Sequence, residues 1–249
     1  MEELSKAKQA LFRRLSDKKF RQESGLCAAE GFKCISDCVR FGWSPEWIAV
    51  ESKQIEQVKP WIADRFPLYL LPDSGLSFLD NPSGMLAVFA IPKPVALTEQ
   101  GPVVVLDGIQ DPGNLGTMLR TCHWFGLQHI ILLKGTADAF APKVVQASMG
   151  SVAALHIHTL DTAELRDWKD RSQIRFLVAA LGGESMLKKQ RLDSAQVAWV
   201  IGSEGRGVRS EIAEMGDAIF IPYFGEIDAP ESLNAATALA LILGHHFFD

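Results

Sequence analysis

Three short stretches in the second half of the chain carry residue types that could do chemistry. They are LDGIQDPGNLGTMLRTCHWFG (Leu106 to Gly126), VIGSEGRGV (Val200 to Val208) and IPYFGEIDAPESLNAATALAL (Ile221 to Leu241). In the first, Asn114 offers an amide and Arg120 a fixed, planar cation suited to a phosphate or a developing oxyanion. In the second, Gly202, Gly205 and Gly207 would let backbone N–H groups approach a ligand closely, and Glu204 between them could accept from a ligand hydroxyl or an arginine. In the third, Ser232 and Asn234 stand at the mouth of a very apolar helix. Each stretch also has a plainer reading: Asn114 as a helix N-cap with Arg120 on the surface, Glu204 as a solvated acid in a glycine-rich turn, Ser232 as the N-cap of the last helix. Asn234 is harder to explain that way, because an amide facing an apolar region needs partners. Asn114 and Arg120 are six residues apart, so they border one cleft only if Asn114 precedes the helix.

Several other chemistries are not expected. The glycine spacing is G-x-x-G-x-G, neither a phosphate loop nor a dinucleotide fingerprint. No serine sits in G-x-S-x-G, and the six histidines are scattered without metal-ligand spacing. Cys27, Cys34, Cys38 and Cys122 form no C-x-x-C pair and read as reduced, packed thiols, so no metal site is expected.

The elements that must position these residues follow from periodicity. Strand patterns at Leu26 to Glu30, Trp47 to Glu51, Pro67 to Leu71 and Met85 to Ile91, with helices from Ser5, over Gly31 to Phe41 and over Ile55 to Arg65, predict a small three-layer α/β domain with a partly parallel sheet over residues 1–92. Residues 93–102 carry prolines and little periodicity and read as a linker. Over residues 103–249, strands at Val103 to Leu106, His129 to Leu133, Leu155 to His158, Phe176 to Ala180, Val197 to Ile201 and Ala218 to Ile221 alternate with helices, predicting a second α/β domain with a mainly parallel sheet. Ligands on such sheets collect at the carboxyl ends of the strands, where all three stretches begin. The last segment, Ser232 to Phe248, is apolar on more than one face and must be buried on several sides, within the domain or against another subunit.

At 249 residues and 47% hydrophobic the chain can bury a large core. It contains no run of eighteen apolar residues, and its first residues are charged, so neither a membrane span nor a secretory leader is expected and a cytoplasmic setting is. The formal charge of −5 argues against a protein coated in nucleic acid. The sum hides a basic arm: between residues 4 and 25, Lys6, Lys8, Arg13, Arg14, Lys18, Lys19 and Arg21 face only Asp17 and Glu23. Arg13, Arg14, Lys18, Lys19 and Arg21 are candidates for RNA phosphates. The plainer reading is an amphipathic helix with Leu4, Ala7, Leu11 and Leu15 on its buried stripe.

Together the three stretches resemble the SpoU (TrmH) family of RNA ribose 2′-O-methyltransferases. The N-x-G-x-x-x-R core of its first motif matches Asn114, Gly116 and Arg120; its second motif matches Gly202, Glu204 and Gly207; the I-P start and S-L-N end of its third match Ile221, Pro222, Ser232, Leu233 and Asn234. The stretch Pro142 to Ser151 is similar to the family's connecting helix, and FRQESGLCAAEGFKCISDCV to the ribosomal-protein-like RNA-binding domain that many members carry in front. The resemblance implies a trefoil-knotted catalytic domain binding S-adenosylmethionine through Gly202, Glu204, Gly205, Ile221, Ser232, Leu233 and Asn234. It also implies a homodimer, and a catalytic set of Arg120, Asn114, Glu204, Ser232 and Asn234 acting on ribosomal RNA in preference to transfer RNA. This sequence departs from the family pattern in the longer, acidic connection Glu226 to Glu231 and in Gln146, where a basic residue is more usual. The acidic connection favours a competing reading, a non-catalytic RNA-binding or ribosome-assembly factor; a methyltransferase with a non-RNA substrate is a third.

Overall fold

The structure, a computed structural model, describes residues 1–62, 65–72, 84–188, 193–226 and 231–248. The chain divides into two compact units. One comprises Met1–Lys93 together with Asp138–Ala154, the other Pro94–Ala137 with Leu155–Asp249.

In the first unit, α1 (Lys6–Arg14) and α2 (Lys18–Ser24) lead into β1 (Leu26–Glu30), α3 (Phe32–Arg40), β2 (Pro45–Val50), α4 (Ile55–Ile62), β3 (Leu68–Leu70) and β4 (Met85–Ala90). The sheet order is β1-β4-β2-β3, with β2 and β3 parallel and the β4 pairings antiparallel, as a partly parallel sheet requires. The N-terminal arm is two helices and not one. Leu15 to Asp17 separate them, and Asp17 caps the second by accepting from Phe20 N at 2.8 Å. The arm's apolar stripe is Leu4, Phe12 and Leu15, which pack with Trp47 and Leu86, whereas Ala7, expected on that stripe, is exposed.

The second unit opens with β5 (Val103–Asp107), α5 (Pro112–Trp124) and β6 (His129–Leu133). The segment that follows, carrying α6 (Pro142–Ala147), belongs to the first unit, where α6 packs on β1. Gly150, just past α6, lies against α3: a Cβ there would stand 2.8 Å from Cys38 N, and its φ of +76° favours glycine. The second unit continues with β7 (His156–Leu160), α7 (Thr162–Ser172), β8 (Arg175–Ser185), β9 (Val197–Gly202), α8 (Ser210–Ala213), β10 (Asp217–Phe220) and α9 (Ala235–Phe247). All six strands run parallel in the order β10-β8-β9-β5-β6-β7. The central strands are apolar on both faces, as expected when helices cover both, and Val103, Val105, Val200, Trp168 and Phe176 lie in one buried cluster. The parallel direction brings the carboxyl ends of β5, β9 and β10, and hence the starts of all three motif stretches, to one edge.

Candidate functional site

That edge is built on the Glu204 carboxylate. Asn114 Nδ2 donates to Glu204 Oε1 at 2.5 Å, Asn234 Nδ2 donates to the same oxygen at 3.3 Å, and the Ala235 backbone N–H donates to it at 3.2 Å. Asn234 Nδ2 also donates to Asn114 Oδ1 at 3.0 Å, so the three side chains form a closed set. Their orientation follows from one commitment. Asn234 is the N-cap of α9, and its Oδ1 accepts from Ala236 N at 2.9 Å and Thr237 N at 3.2 Å, so its NH₂ must face Asn114 and Glu204. The Glu204 carboxylate consequently sits at the positive end of a 13-residue helix, where a negative charge is favoured. Its second oxygen, Oε2, accepts no hydrogen bond among the described residues.

Two cap assignments differ from the sequence reading. Asn114 is not the cap of α5. Asp111 is, accepting from Asn114 N at 2.7 Å, with Pro112 at the first helical position; Pro in that position marks the residue before it as the cap. Asn114 is therefore inside the helix, and at 100° per residue Arg120 projects about 120° away from it. Similarly, Ser232 is not the cap of α9; Asn234 is.

The structure brings together Asn114, Glu204 and Asn234. Arg120 is exposed on α5 and has no hydrogen-bond or ion-pair partner among the described residues, and Ser232 is likewise exposed and unpartnered among them. Ile221 is half-buried just beyond β10, and Leu233 is exposed next to the cap. The glycines behave differently from one another. A Cβ on Gly202 would lie 2.0 Å from the Gly207 carbonyl carbon, because the loop closes on itself there through Gly207 N to Ser203 O at 2.8 Å. Gly205 faces open space, with nothing within 4 Å of where a Cβ would stand. Asp228 and its immediate neighbours in the acidic connection lie outside the described residues; Glu226 and Glu231 on either side are exposed.

Of the basic-arm candidates, Arg13, Arg14, Lys18 and Lys19 are exposed. Arg21, by contrast, is buried and paired within the protein. It is 3% exposed, donates to Leu15 O at 2.7 Å and Ser16 O at 2.9 Å through Nη1, and pairs with Asp138 Oδ2 at 2.6 Å through Nη2. Its guanidinium is consumed in holding the helix break and the start of the α6 segment.

Two residues beside the site escaped the sequence reading. Asp107, 2% exposed, accepts from Arg209 N and Nε, each at 2.9 Å. They are 102 residues apart, and the only local sign was an acid ending an apolar strand run.

A wholly parallel sheet with a polar site at its carboxyl edge defines an α/β enzyme fold. A model of the SpoU rRNA methylase family matches residues 101–244, and one of an MRM3-like substrate binding domain matches residues 8–87. A TrmH-family structure from Porphyromonas gingivalis superposes with a TM-score of 0.85 at 32% identity, covering 97% of each chain. The AdoMet-bound rRNA methyltransferase from Sinorhizobium meliloti gives 0.82 at 28% identity, over 99% of this chain and 96% of that one. The 23S rRNA (guanosine(2553)-2'-O)-methyltransferase RlmP of Bacillus subtilis is 26% identical over 238 residues, 94% of this chain and 93% of RlmP. The chain belongs to the SpoU rRNA methylase family.

Proposed function

We propose that the protein transfers a methyl group from S-adenosylmethionine to a ribose 2′-hydroxyl of ribosomal RNA at the edge built by Asn114, Glu204 and Asn234. One observation carries this reading: three motif stretches, separated by as many as 120 residues, converge on a single carboxylate oxygen. The AdoMet-bound relative supports the cofactor, and RlmP supports ribosomal RNA as the substrate class.

The residues present fit that cofactor. Glu204 Oε2 is available to accept from a ribose or amino donor, Gly205 leaves open space beside it, and Ile221 and Leu233 offer apolar surface for an adenine. S-adenosylmethionine supplies a methyl group already activated on a sulfonium. What the chain must add is orientation of the 2′-oxygen and accommodation of its proton. A guanidinium stays protonated, so Arg120 is a poor base; it orients the ribose and neighbouring phosphate and stabilises the developing alkoxide, while a phosphate or water takes the proton. Gly202 and Ser232 complete the expected cofactor contacts.

The finer parts of the reading have their own support. Exposed Trp124 on α5 and exposed Leu241 and Phe248 along α9, beside stacked Phe125 and Phe247, suit a homodimer interface. Arg120 lies one turn before Trp124, so a dimer on that face would carry Arg120 to the partner's site. The strand order and the return of α9 onto α5 and β9 suit the trefoil knot. Four buried free thiols suit the cytoplasm, and among the described residues no helix is long and apolar enough to cross a membrane. Residues 1–92 serve as the RNA-binding domain, 93–102 as the linker and 103–249, apart from the Asp138–Ala154 segment that belongs to the first unit, as the catalytic domain, with Arg13, Arg14, Lys18 and Lys19 on the RNA. The test is methylation of ribosomal RNA from cells lacking the protein. Arg120→Ala should lower turnover by about 10²- to 10³-fold with cofactor affinity retained, and Asn234→Ala should abolish cofactor binding; intact turnover in Arg120→Ala would overturn the assignment.

A further inference from the structure

We propose that Asp107 is a positioning residue that holds Glu204 in register with Asn114 and Asn234, acting through Arg209. This rests on the reading of those three residues as the cofactor-facing site.

Apart from the three hydrogen bonds that the Glu204 side chain itself accepts, the loop that carries it has little to fix its attitude. It closes on itself through Ser203 and Gly207, but Gly205 faces open space, and its glycines impose few backbone limits. Its backbone is therefore held chiefly at its two ends, and Asp107 is at both. In the β5–β9 register Asp107 lies opposite Gly202, the last residue before the loop. Its carboxylate then grips Arg209, just past the loop. Oδ2 accepts from the backbone N–H at 2.9 Å, and Oδ1 accepts from Nε and Nη2, each at 2.9 Å. A buried carboxylate holding a main-chain donor and two guanidinium donors is a stiff fastening.

The same residue sets where Asn114 begins. Directly after Asp107, Gly108 N donates to Thr136 Oγ1 at 3.1 Å and Ala137 N donates to Ile109 O at 2.8 Å, and Asp111 then caps α5. The path from Asp107 to Asn114 is thus fixed at each step, whereas the path from Gly202 to Arg209 is fixed chiefly at its ends. A shift at Arg209 reaches Glu204 and leaves Asn114 in place, which separates donor from acceptor across the site.

The test is titration calorimetry with S-adenosylhomocysteine on wild type, Asp107→Asn, Glu204→Gln and the double variant, with hydrogen exchange of the Ser203 to Val208 amides and melting temperature recorded on each ligand-free protein. Asp107→Asn should weaken binding about tenfold and raise exchange in that loop, since loss of first-contact geometry is costly even when the contact residues are intact. In the Glu204→Gln background the same change should add little, because both act on one group. Additive losses, or wild-type affinity and exchange in Asp107→Asn, would overturn the proposal. Arg209→Lys, which keeps the charge but not the two-pronged grip, repeats the test should Asp107→Asn fold poorly. Wild-type affinity in Glu204→Gln would instead overturn the reading of the site itself, so the two failures are distinct.

Discussion

Two arginine–aspartate pairs, one in each unit, each have one member almost wholly buried, and they are mirror images. In the first unit Arg21 is the buried partner, at 3% side-chain exposure against 17% for Asp138. In the second, Asp107 is the buried partner, at 2% against 41% for Arg209. The buried member belongs to the fixed framework and the outer member to the segment being held: Arg21 of α2 fastens the start of the α6 segment, and Asp107 of β5 fastens the end of the glycine loop. A buried ion pair adds little net stability, but removing one member strands the other, at a cost set by how far the survivor is from water.

The largest expected effect follows from that asymmetry. Asp138→Ala would leave the Arg21 guanidinium buried, and Arg209→Ala would leave the Asp107 carboxylate buried; each should cost about 3–5 kcal/mol in denaturant unfolding. Asp107→Asn leaves Arg209 able to reach solvent and should cost only about 1 kcal/mol. Equal losses for Asp107→Asn and Arg209→Ala would mean that exposure of the survivor does not set the cost, and the mirror relation would lose its meaning.

Both pairs also mark where sequence reading ran out. Runs such as Leu26 to Glu30 and His129 to Leu133 have their expected bounds, since apolar residues bracketed by glycine, charge or turn residues leave few choices. That the three motif stretches share an edge was also legible, because strands in a parallel sheet must end together. The caps were half legible: Asp111-Pro112 is a local signal that outranks Asn114, whereas Ser232 and Asn234 are equally good caps, and what selects Asn234 is its reach to Glu204, a contact 30 residues away. The sequence places Arg21 among the arm's candidate phosphate contacts and does not single out Asp107, for one reason. Their partners are 117 and 102 residues distant, and nothing local distinguishes a solvated charge from a buried one.

An intermediate effect is expected at the opposite edge of the second unit's sheet, where burial acts on neutral groups. His129 Nδ1 and His158 Nε2 are 3.0 Å apart with their rings stacked, and His156 stands beside them. Burial first, then His129 and His156, lower the His158 pKa to about 4, and burial followed by His156 lowers that of His129. In the unfolded chain His158 regains its ordinary value of about 6.5. Below that pH the unfolded state takes up a proton that the folded state refuses, so stability is lost as pH falls from about 6.5 towards 4 and is intact above. The loss should be on the order of 2 kcal/mol. Unfolding at pH 7.5 and pH 5 should show a smaller acid loss in His158→Gln than in wild type; identical losses would place the acid sensitivity elsewhere.

The smallest effect belongs to the exposed cations of the arm, and it separates them from Arg21. Lys18 opens α2, is exposed and has no ion-pair partner among the described residues, so Lys18→Ala should leave unfolding within about 0.5 kcal/mol of wild type. If Lys18 meets a phosphate, its loss should lower RNA affinity modestly and reduce the slope of log affinity against log salt by about 0.7–0.9, the share of one released counterion. Arg21→Ala should do the reverse: it costs stability through stranded Asp138 and two unpaired carbonyls, while the folded fraction keeps the wild-type slope, since a saturated guanidinium releases no counterion. A slope lowered by Arg21→Ala and unchanged by Lys18→Ala would reverse the roles that burial assigns to these two residues, three positions apart on the same arm.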